Sequence, residues 1–128
     1  MTDTSLAYAR AHRERHLAEL LDFLRLPSIS TDPAYHEATA DAADWLAGQM
    51  KDAGLENVRV FPTERHPLVY ADWLHAGPGA PTVLIYGHYD VQPADPLELW
   101  TTPPFEPTVR EDYIYARGAA DDKGQLYL

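Results

Sequence analysis

An α/β sandwich is the fold class this sequence predicts, and three observations carry it. Two helix-patterned segments come first, and extended segments follow. One of the extended segments, residues 82–86, holds the continuous apolar run Val83-Leu84-Ile85-Tyr86. A strand covered on both faces reads as an unbroken apolar run, so this one is expected at the centre of a sheet flanked by helices. An apolar share of 45% and a charged share of 23% over 128 residues are ordinary values for a packed globular chain and exclude wholesale disorder.

The first helix is expected within residues 6–26, which contain neither Gly nor Pro. Leu17, Leu20, Leu21 and Leu24 recur on one helical face, and Pro27 ends the segment. Residues 28–31 read as a connector. Asp32-Pro33 then pairs an N-cap with proline at the first helical position and opens a second helix. Its buried face would include Ala38, Ala42, Trp45 and Leu46, and Gly54 supplies the stop. Residues 57–61 alternate around Val58 and Val60, residues 68–74 form a second extended stretch, and residues 75–81 read as a turn. Residues 91–107 hold five prolines, and Trp100 and Phe105 argue that this long loop is packed. Residues 108–117 read as a hairpin around Glu111-Asp112. A polar loop over 118–124 follows, and residues 125–128 begin a further helix.

Charge and composition exclude several function classes. Ten basic against twenty acidic residues give a net charge of −10, and the two halves each carry −5 (6 basic and 11 acidic, then 4 and 9). Nucleic acid is not an expected partner, because neutralising phosphates needs a basic footprint. The absence of cysteine removes disulfides, thiolate zinc sites, iron–sulfur clusters and a cysteine nucleophile. Residues 1–15 are polar and charged with no apolar run, so no membrane partner is expected and the expected location is cytoplasmic.

Chemistry concentrates in two short segments. Gly87-His88-Tyr89-Asp90 directly follows the apolar run, and ligands of open α/β sheets gather at the carboxyl ends of strands. Residues two apart in an extended segment share a side, which would put Asp90 beside the His88 imidazole. A carboxylate there orients a metal-binding histidine and raises its basicity. The alternative is a solvated pair at a strand end. The second segment is Gly118-Ala119-Ala120-Asp121-Asp122-Lys123-Gly124. Adjacent carboxylates in a Gly-bounded loop suit hard or borderline cations, and a bridging carboxylate holds two metals close. Read alone, this segment favours the alternative of an acidic turn capping the next helix.

Taken together, the two segments resemble a known family. Gly-His-Tyr-Asp-Val-Gln-Pro, Trp100, Pro104-Phe105 and Tyr115-Ala116-Arg117-Gly118-Ala119-Ala120-Asp121-Asp122-Lys123-Gly124 look like the dinuclear zinc metallopeptidases. These include aminoacylase, acetylornithine deacetylase, succinyl-diaminopimelate desuccinylase, carboxypeptidase-G-type enzymes and carnosinase-like dipeptidases. Leu26-Pro27-Ser28-Ile29-Ser30 also resembles their N-terminal pattern, and the likeness covers nearly the whole chain. Ala116 departs from it, standing where the family often has glycine. The resemblance implies a three-layer sandwich around a mixed sheet, of the zinc-dependent exopeptidase type. Residues 1–128 would be the N-terminal part of the catalytic domain.

By the resemblance, His88 and Asp121 are metal ligands, with Asp121 bridging two zinc ions for which cobalt or manganese could substitute. Asp90 is counted with the catalytic machinery as the carboxylate that holds the His88 ring. The Asp121-Asp122 bond is implied to be cis. The implied reaction is hydrolysis of a small peptide, with an N-acyl amino acid as the alternative substrate. Gln92-Pro93 and the Trp100 segment lean toward the dipeptidases. The general base, the remaining ligands and a small domain used for homodimer formation are implied to lie beyond Leu128, so residues 1–128 alone are expected to be inactive. A competing expectation from another class is a non-catalytic pseudoenzyme that keeps the fold as a binding module.

Other residues are expected to be structural. His12 and His16 with Glu14 between them lack the helical zinc motif, in which the glutamate directly follows the first histidine. His36, His66 and His75 are expected at the surface. Ser28 and Ser30 have no histidine in a recognisable order, so neither is a candidate nucleophile. Tyr86, Trp100 and Phe105 are read first as core residues.

Overall fold

The computed structural model describes residues 2–128. The N-terminal helical segment is two helices, α1 (Asp3–Ala11) and α2 (Arg13–Arg25). The break falls at His12, whose backbone leaves the helical region at φ −111° and ψ 12°. Thr2 caps α1 through its side chain, which accepts the Ser5 N–H. The expected stop at Pro27 holds, since α2 ends at Arg25 and Leu26 is already extended.

The Asp32-Pro33 signal produces a short 3₁₀ turn, Pro33–Tyr35, before α3 (His36–Asp52) begins. The Asp32 carboxylate accepts the Ala34 N–H at 2.9 Å, as an N-cap should. Gly54 closes the helix at φ +86°, where a side chain would be strained. The chain then forms an antiparallel pair, β1 (Glu56–Phe61) with β2 (Leu68–Asp72), and a second pair, β3 (Thr108–Arg110) with β4 (Tyr113–Tyr115). Glu111, at the tip of the second hairpin, has φ +55°. The chain's last helix is α4 (Lys123–Tyr127).

The core lies between α2, α3 and the connector. Phe23 and Leu24 of α2, Ala42, Ala43, Leu46 and Ala47 of α3, and Ile29, Val91 and Ala94 are its buried apolar residues. Phe23 stacks on Trp45 with ring centroids 4.4 Å apart and planes 9° from parallel. The proline-rich loop is packed only in part: Val91 and Ala94 are buried and Trp100 and Phe105 half-buried, so neither aromatic is a full core residue, while Leu97 and Leu99 are exposed. Trp100 Nε1–H donates to the Ala94 carbonyl at 2.8 Å, and the Arg117 guanidinium lies over the Trp100 ring at 5.4 Å.

The mixed helix-and-strand class is as expected, but the apolar run is not a buried central strand in this chain. Val83, Leu84, Ile85 and Tyr86 are between 77% and 88% exposed, and among the described residues no strand pairs with 82–86. Tyr86 is correspondingly not a core residue. Burial on both faces requires strand neighbours and two covering layers. Here the run instead borders a hollow of about 2160 Å³, lined by Leu46, Leu68, Tyr70, Ile85 and Leu126 among others. The apolar pattern thus records an environment that these residues alone do not build. Among the described residues no helix is long and apolar enough to cross a membrane.

Candidate functional site

Past the exposed run the backbone enters the packed part of the molecule, and the site begins there. Val91 is buried, its N–H donates to the Ser28 carbonyl at 2.9 Å, and it forms a parallel bridge with Ile29. Gly87 gives a close approach at the entry. A Cβ there would lie 2.7 Å from Leu126 Cδ1 and 3.2 Å from Asp122 Oδ2. The absence of a side chain lets residues 87–90 run directly against the start of α4.

The two motif segments meet as expected. His88 Nε2 stands 3.2 Å from Asp121 Oδ1. On the other edge of the ring, Nδ1 lies 3.1 Å from Asp90 Oδ1 and 3.1 Å from the Asp90 carbonyl oxygen. Both of those oxygens can only accept, so Nδ1 is the donor there. Burial pulls the His88 imidazolium toward deprotonation, but Asp90, Asp122 and Asp121 together outweigh it and its pKa is raised. The Asp121-Asp122 peptide bond is cis, in line with the resemblance.

The cap alternative for the acidic pair does not hold. Asp122 occupies the N-cap position of α4, yet its side chain makes no capping bond. Its Oδ2 instead accepts the His88 N–H at 3.1 Å. One carboxylate of the pair therefore holds the histidine's backbone and the other faces its ring. Asp122's part was not read from the sequence, because neither spacing nor composition reports a contact across 34 positions.

Lys123 is a second residue that the sequence did not reveal. It is fully buried, and its Nζ donates to the Phe23 carbonyl at 2.9 Å and the Leu26 carbonyl at 2.6 Å. These carbonyls belong to the end of α2, where a helix leaves acceptors unpaired and favours positive charge. The Phe23 ring lies 4.7 Å from the same nitrogen. Burial pulls the Lys123 pKa down to about 7, opposed by the charge of Asp90. Gly124 completes the turn, since a Cβ there would come within 2.2 Å of the Ala119 carbonyl oxygen.

His66 is not simply a surface residue: it is part-buried, with Nε2 2.8 Å from the Ser30 carbonyl. His36 is exposed and packs edge-on against His66 with centroids 5.1 Å apart. His75 is exposed and pairs with Glu56 at 3.0 Å. His12, at the break between α1 and α2, and His16, on α2, are half-buried and stacked 6.0 Å apart, and Arg15 approaches His16 Nε2 at 3.1 Å. That cationic neighbour makes the helical pair a poor cation site.

His88 and Asp121 fit a divalent metal by donor chemistry and by spacing. Imidazole nitrogen and carboxylate oxygen are zinc, cobalt and manganese donors. Two donors about 2.0–2.2 Å from one zinc in a tetrahedral sphere stand roughly 3.3–3.6 Å apart. The observed 3.2 Å is close to that separation. Asp90 faces the far side of the ring, so it orients the imidazole without completing the donor set. Among the described residues no group of three or more His, Asp or Glu side chains converges on a single point.

An imidazole oriented by one carboxylate and facing another at the end of an extended segment is the arrangement the two motif segments build. Residues 84–128 match peptidase family M20/M25/M40. The chain is 34% identical over 122 residues to the cysteinylglycine-S-conjugate dipeptidase of Corynebacterium striatum, covering 91% of this chain and 26% of that protein. It is 35% identical over 107 residues to the succinyl-diaminopimelate desuccinylase of Stenotrophomonas maltophilia, covering 82% of this chain and 25% of that one. Among solved structures it superposes on the M20 family metallo-carboxypeptidase Sso-CP2 of Sulfolobus solfataricus with a TM-score of 0.78. That match has 41% identity and covers 88% of this chain and 24% of the other. The chain thus spans about a quarter of the length of the relatives it matches.

Proposed function

We propose that residues 1–128 carry one edge of the metal centre of a zinc-dependent amide-bond hydrolase, as the N-terminal part of its catalytic domain. The observation that carries this reading is the convergence of His88 Nε2 and Asp121 Oδ1 at 3.2 Å from segments 33 positions apart. Asp90 fixes the ring, and Asp122 fixes the backbone that presents it. A bound divalent cation supplies Lewis acidity toward an amide carbonyl and toward water. His88 and Asp121 would hold that cation, and Asp90 would keep the His88 proton on Nδ1 so that Nε2 has a free lone pair.

A small peptide is the proposed substrate, supported by the dipeptidase among the relatives. The desuccinylase relative supports N-acyl amino acids as the second reading. A cytoplasmic setting is proposed on the absence of cysteine and of a membrane-spanning helix among the described residues.

The test is hydrolysis of a dipeptide and N-acyl-amino-acid panel by the protein expressed from its complete reading frame, with zinc, cobalt or manganese added. Turnover that EDTA removes and Asp121→Ala abolishes is the expected result. Turnover indifferent to both refutes the reading, and no turnover with any substrate favours the pseudoenzyme.

A further inference from the structure

Ser30 belongs to the connector after α2, outside both motif segments, yet it reaches the same histidine. Its hydroxyl donates to Asp90 Oδ2, while Asp90 Oδ1 faces His88 Nδ1 at 3.1 Å. Each oxygen of that carboxylate has its own partner, which fixes the carboxylate plane. The Asp90 side chain is 38% exposed, so it borders solvent and its two hydrogen bonds bear on its orientation.

The connector is held tightly enough to serve as a reference point. Ile29 is buried and bridged to Val91. Ser28 is fully buried, and its hydroxyl donates to the Tyr89 carbonyl at 2.7 Å. The Ser30 carbonyl accepts from His66 Nε2 at 2.8 Å. Ser28 and Ser30 are two apart in sequence, and both hydroxyls reach the 89–90 segment.

We infer that Ser30 is a positioning residue of the His88 site: its hydroxyl locks the Asp90 carboxylate in the orientation that presents His88 Nε2 toward Asp121. The inference rests on the reading of His88 and Asp121 as metal ligands. Asp90 is the partner one step removed from the ligand, the kind whose loss changes metal affinity by about 10–100-fold, and Ser30 acts through it, so the lower end of that range applies. Alanine at position 30 removes the donor and frees the carboxylate to rotate. Threonine keeps a hydroxyl on the same Cβ, so it retains the donor to Asp90.

The experiment titrates zinc chloride into the 128-residue chain and follows the His88 ring protons by NMR, so that binding elsewhere is not counted. Wild type, Ser30→Ala, Ser30→Thr and Asp121→Ala are compared, with a thermal melt for each. Ser30→Ala is expected to weaken zinc binding at His88 by roughly tenfold. Its melting point should move only by the few degrees that one hydrogen bond contributes. Ser30→Thr is expected to restore the affinity. Wild-type affinity in Ser30→Ala, alongside a loss in Asp121→Ala, overturns the role of Ser30 and leaves the metal site standing. Failure of threonine to rescue overturns it too. No response of wild-type His88 to zinc, or an undiminished one in Asp121→Ala, overturns the site and the role of Ser30 together.

Discussion

Replacing Lys123 by methionine should destabilise the chain by about 2 kcal/mol, and the structure supplies the reasoning. Below about pH 7, where Lys123 is charged, two charge-assisted bonds disappear, from Nζ to the Phe23 and Leu26 carbonyls. Bonds of this kind contribute about 1.5–3 kcal/mol each when net of solvation. Neither carbonyl becomes an orphan, because Phe23 O also accepts the Leu26 N–H at 3.3 Å and Leu26 O accepts the Ser28 N–H at 2.9 Å. The lower end of the range therefore applies, roughly 3 kcal/mol for the pair. Methionine fills most of the volume and avoids burying an ammonium, which returns about 1 kcal/mol. Urea denaturation followed by circular dichroism measures the difference, and a melting point lowered by roughly 6–8 °C is the thermal equivalent. Stability unchanged to within about 0.5 kcal/mol would refute the reasoning, since that is the behaviour of a surface position.

Gly124→Ala should destabilise by roughly 3 kcal/mol by urea denaturation, because its Cβ would sit 2.2 Å from a backbone oxygen that cannot move aside cheaply. Asp122→Ala should cost about 1.5–3 kcal/mol and speed exchange of the His88 amide hydrogen, whereas Asp122→Asn, which keeps an acceptor, should change both much less. Phe23→Ala should cost about 3–5 kcal/mol by the same measurement, since the ring is fully buried against Trp45 and the Lys123 side chain. The 128-residue chain alone should give no EDTA-sensitive turnover on the peptide panel with zinc added, because among the described residues only His88 and Asp121 converge as ligands and the nearby Asp90 and Asp122 carboxylates are engaged in holding His88.

The parts of the fold readable from sequence were those set by local chemistry. Asp32 capping, the stop at Pro27, the left-handed Gly54 and the hairpin around Glu111 each depend on a few neighbouring residues. The break at His12 carried no such signal, because no Gly or Pro marks it. The Val83-Leu84-Ile85-Tyr86 run misled for a different reason. Apolar pattern reports the surroundings in which a strand would be covered, and no strand among the described residues covers this one. At the site, His88 and Asp90 are candidates from their types and their spacing, whereas Asp121 is named through the family resemblance, since the acidic pair read alone favours a cap. Asp122, Lys123, Ser30 and His66 could not be named, since each acts through a contact between segments remote in sequence. Their roles depend on which backbone atom lies opposite, and residue type alone does not encode that.

The central claim is that His88 and Asp121 bind one divalent ion between them. Anomalous diffraction at the zinc edge, from crystals of the chain soaked in zinc chloride, tests it most directly. The account predicts a peak between His88 Nε2 and Asp121 Oδ1 that is lost in Asp121→Ala. A peak only at the His12 and His16 pair, or none near His88, would contradict it.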